Sequence, residues 1–191
     1  MKTIKIGYQD WTIKNLDTLT FLNGDKIQIA KNAKQWQKAG ANETPICSYY
    51  NYSENDDENL GVYYNYYCIT DPRGLVDVKY KIPTIEDCFI LLENSNLQRN
   101  DSVRGFDGNI LPLFQTDILS LFKAIPAGIV SQWGSFFYKD EVFQCWTSDK
   151  LSEVQSYYME LDKRVGLTHS AGLGYKYENS AGCSIRLLLN T

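Results

Sequence analysis

The chain reads as a single α+β domain, on three observations. Residues 2–6 alternate polar and apolar side chains, and the far end does the same through Ile185, Leu187 and Leu189, the mark of strands with one buried face. Two segments between these ends carry apolar residues at helical spacing behind capping residues. The remainder consists of short strand-like runs and long polar stretches, with Gly and Pro scattered rather than gathered into a linker. A chain of 191 residues suffices for one well-buried core, so residues 1–191 form one domain in this reading.

Taken in order, residues 2–6 form the first strand, and Asn23-Gly24 makes a tight turn between apolar flanks. A weak helix spans about 32–39 and stops at Gly40. Asp71-Pro72-Arg73-Gly74 is a turn. The first strong helix follows Thr84, an N-cap with Asp87 three residues on; Ile85, Cys88, Phe89 and Leu92 share one face. The second runs over 117–125 behind Thr116, with Ile118, Leu121, Phe122 and Ile125 on one side until Pro126 stops it. Tyr157, Met159 and Leu161 alternate as in a strand, and Gly172-Leu173-Gly174 reads as a turn.

Composition excludes several classes of function. The net charge is −4 with one histidine and no cluster of Lys and Arg, so the chain lacks the means to neutralise phosphates and is not a nucleic-acid binder. No basic amphipathic stretch suggests membrane insertion. Cys47, Cys68, Cys88, Cys145 and Cys183 are odd in number and lack Cys-x-x-Cys spacing, which fits buried small residues rather than zinc ligands or a disulfide framework. Met1 to Ile6 lacks the apolar run of about 7–15 residues that an export signal requires, so export by that route is not expected. Fourteen tyrosines are the one excess. Of these, Tyr63, Tyr64, Tyr66 and Tyr67 are assigned to the core rather than to a sugar-stacking platform.

No catalytic constellation emerges. His169 is the sole histidine, Ser170 is only its sequence neighbour, and an ordinary loop role is the simpler account. The acidic run at 54–59 has oxygen ligands but not the spacing or central glycine of a calcium loop, and reads as solvated. Asn42-Glu43-Thr44 and Asn51-Tyr52-Ser53 match the glycosylation sequon and carry no weight without an export signal. The expectation is a protein without enzyme activity, cofactor or metal.

Four blocks lie along the chain in fixed order: Gly7, Trp11 and Asn15-Leu16; Leu60-Gly61-Val62-Tyr63-Tyr64-Asn65-Tyr66-Tyr67; Ile82-Pro83-Thr84; and Trp146-Thr147-Ser148 with Gly182-Cys183-Ser184-Ile185-Arg186. This arrangement resembles the Fibrobacter succinogenes major paralogous domain, a family related to C-type lectin and formylglycine-generating-enzyme folds. The resemblance implies one C-type lectin-like domain with two main helices, short antiparallel strands and long loops, its termini in one sheet. It implies that Pro83-Thr84 opens a helix, Trp146 begins the final sheet and Gly182 to Arg186 closes it. The chain departs from the pattern at Cys88 and at Cys145-Trp146-Thr147-Ser148. It also lacks the Glu-Pro-Asn, Gln-Pro-Asp and Trp-Asn-Asp signatures of calcium-dependent sugar binding, and the cysteine pair of the oxidases does not align. Neither activity is carried over.

These points lead to the expectation of a non-enzymatic display module. Its leading setting is a bacteriophage virion, as a head fibre, tail fibre or capsid decoration made in the host cytoplasm. There it would contact other virion proteins, a host surface receptor or glycan, or further copies of itself as a homo-oligomer. The alternatives are a bacterial surface adhesin or glycan-binding domain and a degenerate formylglycine-generating-type oxidase. The expected partner face is the segment 149–179, where Tyr157, Tyr158, Tyr175, Tyr177 and Asn179 stand among Ser and Gly.

Overall fold

The computed structural model describes residues 1–54, 60–94, 98–104, 110–115, 118–162 and 170–190, with the backbone alone for 98–104, 110–115, 118–119 and 170–176. The acidic run, apart from Glu54, and His169 lie outside the described residues.

The chain begins with the hairpin β1 (Thr3–Ile6) and β2 (Gln9–Thr12) and continues through β3 (Gln28–Ile29), α1 (Ala33–Ala41) and β4 (Ile46–Ser48). After a 3-10 turn at Tyr50–Tyr52 come β5 (Tyr63–Asn65), α2 (Tyr66–Ile69), β6 (Tyr80–Lys81) and α3 (Ile85–Glu93). The second half holds β7 (Gln98–Arg104), β8 (Ile110–Gln115), α4 (Ile118–Leu121), β9 (Ile129–Val130) and β10 (Phe136–Phe137). It ends with β11 (Val142–Lys150), β12 (Gln155–Asp162), β13 (Ser170–Glu178), β14 (Gly182–Cys183) and β15 (Leu188–Leu189). The expected α+β class holds.

Four sheets organise these strands. The terminal sheet has the order β1-β2-β15-β6, so both ends of the chain share it, as expected; β15 sits between β2 and β6, with Leu188 opposite both Trp11 and Lys81. The six-stranded sheet runs β10-β9-β14-β5-β4-β3, antiparallel except for the β3–β4 pair. β11, β12 and β13 form an antiparallel three-stranded sheet, and β7 pairs with β8.

The three-stranded sheet separates two cores, so side chains on both faces of β11 and β12 are buried, Val142 to Thr147 without interruption. Phe143, Cys145, Met159 and Leu161 pack on one side with Trp11, Leu188 and α3 residues Cys88, Leu91 and Leu92. Trp146 and Tyr158 point the other way, against Tyr64, Cys183, Ile185 and Leu187. A third cluster lies under α1, where Trp36 meets Ile46, Tyr63 and Val130. Each fully buried aliphatic side chain in these clusters contributes about 1.5–3 kcal/mol.

The helices obey their local signals to different extents. Thr84 caps α3 and its hydroxyl accepts from the Asp87 amide at 3.1 Å, while the Asp87 carboxylate accepts from the Thr84 amide at 2.9 Å, a reciprocal capping box. α1 starts one residue later than expected, with Asn32 as its N-cap, and runs through Gly40 to Ala41. The helix expected over 117–125 is helical only at Ile118–Leu121; Thr116 and Asp117 fall outside the described residues. It ends early because Lys123 turns into the left-handed region at φ 50°, and the carbonyls of Phe122 and Lys123 accept from the Arg186 guanidinium instead of continuing the helix.

Two further expectations change. Gly172, Leu173 and Gly174 lie inside β13 rather than in a turn: Gly172 pairs with Glu160 of β12, and Leu173 and Gly174 fall at the register shift before Tyr175 pairs with Tyr158. Strand alternation at the end of the chain is also lost: Ile185, Leu187 and Leu188 are all buried while Leu189 is half-buried, since the segment lies between two cores.

Candidate functional site: an aromatic corner on the edge hairpin

Of the residues expected at the partner face, Tyr158 and Asn179 are buried. Tyr158 is 6% exposed; its ring lies edge-on to Trp146 at 6.3 Å and 5.5 Å from that of Tyr177. Register causes this, because Trp146 pairs with Tyr158 across β11–β12 and both must face the same core. Asn179 is 1% exposed and holds a turn together: its Nδ2 donates to the Glu153 carbonyl at 2.8 Å and its Oδ1 accepts from the Ser156 hydroxyl at 2.7 Å. Both side chains are therefore engaged in contacts within the domain. Tyr157 and Tyr177 are half-buried, and the Tyr175 side chain lies outside the described residues. Burial, then the nearby Cys183, Tyr138 and Glu160, push the Tyr177 hydroxyl up to about 12, so it stays protonated at neutral pH.

That neighbourhood leads to residues that sequence reasoning missed. β9 and β10 form a hairpin at the edge of the six-stranded sheet, and its residues Trp133, Phe137 and Tyr138 are 67%, 47% and 42% exposed. The rings of Phe137 and Tyr138 are 6.0 Å apart. Three large aromatics held in water on six residues are unusual, since isolated exposed apolar residues are common but groups of them mark contact sites.

The corner is built to hold those rings in place. Phe136 points inward and meets Tyr50, Tyr52 and Tyr63 edge-to-face at 5.2, 5.1 and 5.6 Å. Tyr52 donates its hydroxyl to the Gly134 carbonyl at 2.6 Å, and Gln37 of α1 donates to the Trp133 carbonyl at 2.8 Å. Gly134, at φ 77°, lets Tyr52 and Ala33 close on the turn; a Cβ there would lie 2.5 Å from the Tyr52 hydroxyl. Lys139 sits 5.3 Å from the Tyr50 ring centre and pairs with Asp140 at 3.0 Å.

Backbone strain concentrates in the same place. Six described non-glycine residues have positive φ, and Asn51, Tyr52, Tyr138 and Asp140 are four of them. Each such conformation costs on the order of 1–3 kcal/mol, persists only where surroundings impose it, and tends to gather at functional sites. Here the Phe136 cluster and the Gly128–Val142 backbone bond, 2.8 Å long, impose it.

All five thiols are free and buried, and burial pushes Cys47 and Cys145 up to about 12. Among the described residues no group of His, Cys, Asp and Glu is placed to hold a metal ion.

The blocks noted in the sequence are structural as well. Trp11 and Trp146 are fully buried, and Arg186 reaches Asn15 inside the molecule. The chain belongs to the Fibrobacter succinogenes major domain family, whose model matches residues 4–188. No curated protein and no solved structure matches it. The blocks read from the sequence thus contribute to the scaffold, and Trp133, Phe137 and Tyr138 lie between them, within the residues that the family model matches.

Proposed function

We propose that this domain is a non-enzymatic display module that binds a protein partner through Trp133, Phe137 and Tyr138. The observation that supports it most is the coincidence of three exposed aromatics with strained backbone on one edge hairpin. Rigid aromatic anchors give large contact area at low entropic cost, and such residues dominate binding energy at interfaces. The position of both termini in one sheet is compatible with a C-type lectin-like scaffold, which is part of the same proposal. For its setting we keep the bacteriophage particle, with a bacterial surface adhesin as the alternative.

The test replaces Trp133 and Phe137 together by Ala. Both rings are exposed, so the melting temperature should stay within a few degrees of the parent, whereas incorporation into particles or adsorption to host cells should fall by about tenfold or more. Unchanged incorporation and adsorption would reject the corner as the contact. Finding the chain in purified virions supports the phage setting; finding it only on bacterial envelopes supports the adhesin.

A further inference from the structure

β10 is the outer strand of the six-stranded sheet, and no strand among the described residues lies beyond it. Ser131 donates its amide to the Ser135 carbonyl at 2.9 Å, and bonded pairs alternate with unbonded ones along an antiparallel ladder. Phe137 therefore bonds to Ile129, while Phe136 turns its amide and carbonyl away from β9. We propose that this edge pairs with the same edge of a second copy of the chain, the two β10 strands antiparallel about a two-fold axis at Phe136. The inference rests on the corner being a contact surface and names its occupant.

Charge sets this edge apart from the others. Lysines commonly guard exposed strand edges against pairing. In the terminal sheet the outer strands β1 and β6 carry Lys5 and Lys81, and at the far edge of the six-stranded sheet β3 lies between Lys26 and Lys31. The stretch from Ser135 to Tyr138 has neither charge nor proline. Length does not distinguish it, because β3 and β6 are also two residues long. A two-fold axis at Phe136 sets Ser135 of each copy opposite Phe137 of the other, and the two Phe136 residues exchange the backbone bonds that each copy leaves open. Ser135 and Phe137 are both exposed and share the face opposite to the inward-pointing Phe136. The two Phe137 residues become diagonal neighbours, about 7–8 Å apart and within reach of each other's rings. Gly134 and Tyr138, at φ 77° and 62°, end the extended stretch on either side, so the pairing is confined to three residues and closes as a symmetric dimer.

Sedimentation equilibrium of the full chain between about 1 μM and 0.5 mM, a span suited to a small interface, should show monomer and dimer without larger species. Ser135→Lys and Ser135→Glu each place like charges beside the axis, and each alone should weaken dimerisation by about fivefold or more while keeping the melting temperature. Mixing the two variants should restore a dimer of one Lys and one Glu chain, because residue 135 of each copy neighbours residue 135 of the other in this register. A parent chain that stays monomeric throughout, a dimer indifferent to both single variants, or a mixture that stays monomeric would each overturn the pairing. A monomeric parent whose Trp133→Ala/Phe137→Ala variant still loses incorporation or adsorption rejects the second copy and keeps the corner as a contact. A dimeric parent whose same variant incorporates and adsorbs normally keeps the pairing and rejects the corner's role in display.

Discussion

Arg186 donates through both Nε and Nη2 to the same atom, Oδ1 of Asn15, at 3.3 and 3.1 Å across 171 residues of sequence. Its remaining donors reach the carbonyls of Thr12, Phe122 and Lys123. The guanidinium is completely buried between Phe122 and Phe143 and is met by neutral acceptors rather than by a carboxylate among the described residues. Burial pushes its pKa down to about 10, so it remains charged at neutral pH. Asn15→Ala should therefore destabilise the domain by roughly 1.5–3 kcal/mol, the usual worth of hydrogen bonds to a charged group. Adding Arg186→Met should cost much less than it does alone, and denaturant titration of the cycle measures that coupling. Strictly additive losses would contradict the linkage.

Acid should unfold the protein through Asp87. Burial alone would raise its pKa, but the Thr84 amide, Lys81 and the Thr84 hydroxyl together hold it below its ordinary 3.8. Asp71, held down first by its bond to Arg73, acts in the same direction. A depressed carboxylate contributes stability that is fully present above the unfolded pKa and is lost as pH falls through the folded one. Stability should thus be level near neutrality and decline below about pH 4. Asp87→Asn should lower the plateau and flatten that decline, as read from melting temperature against pH.

The thiols give a third check. With all five cysteines buried, native protein should show almost no rapid reaction with a thiol reagent, and all five should react together in denaturant. One fast-reacting thiol in the native state would show that a core opens locally.

Gly128 should tolerate no side chain. Its φ is 70°, and a Cβ would sit 2.0 Å from the Phe137 carbonyl oxygen and 2.8 Å from the Lys139 nitrogen. Gly128→Ala should cost more than about 2 kcal/mol, from the backbone conformation and the clash combined. Because the clash falls on the hairpin, the emission of Trp133 should change along with the melting temperature.

Features set by neighbours in sequence were legible, and those set by distant segments were not. Thr84 and Asp87 announce the start of α3 because a capping box closes within four residues. The alternation at Tyr157, Met159 and Leu161 correctly marks a strand, but nothing local says that both faces of that strand are covered, so Tyr158 reads as surface when it is core. Arg186 and Asn15 were visible as family positions, yet their bond depends on contacts across the whole chain. The exposed rings of Trp133 and Phe137 went unnoticed for the same reason: exposure is decided by what fails to pack on a residue, and local sequence does not record it.

The placement of β15 between β2 and β6 also dictates the order in which the molecule can be made. Trp11 leaves the ribosome 177 residues ahead of its neighbour in the sheet, Leu188. Until then β2 has β1 alone beside it, and isolated two-stranded hairpins are at best marginally stable in water. The terminal sheet therefore closes only after almost all of this sequence has been translated. Joining ends so far apart carries a large loop-closure cost, so refolding should be slow for a domain of this size. During that interval the incomplete chain exposes the apolar surface of two unfinished cores, which makes its synthesis the stage at which it most depends on chaperones.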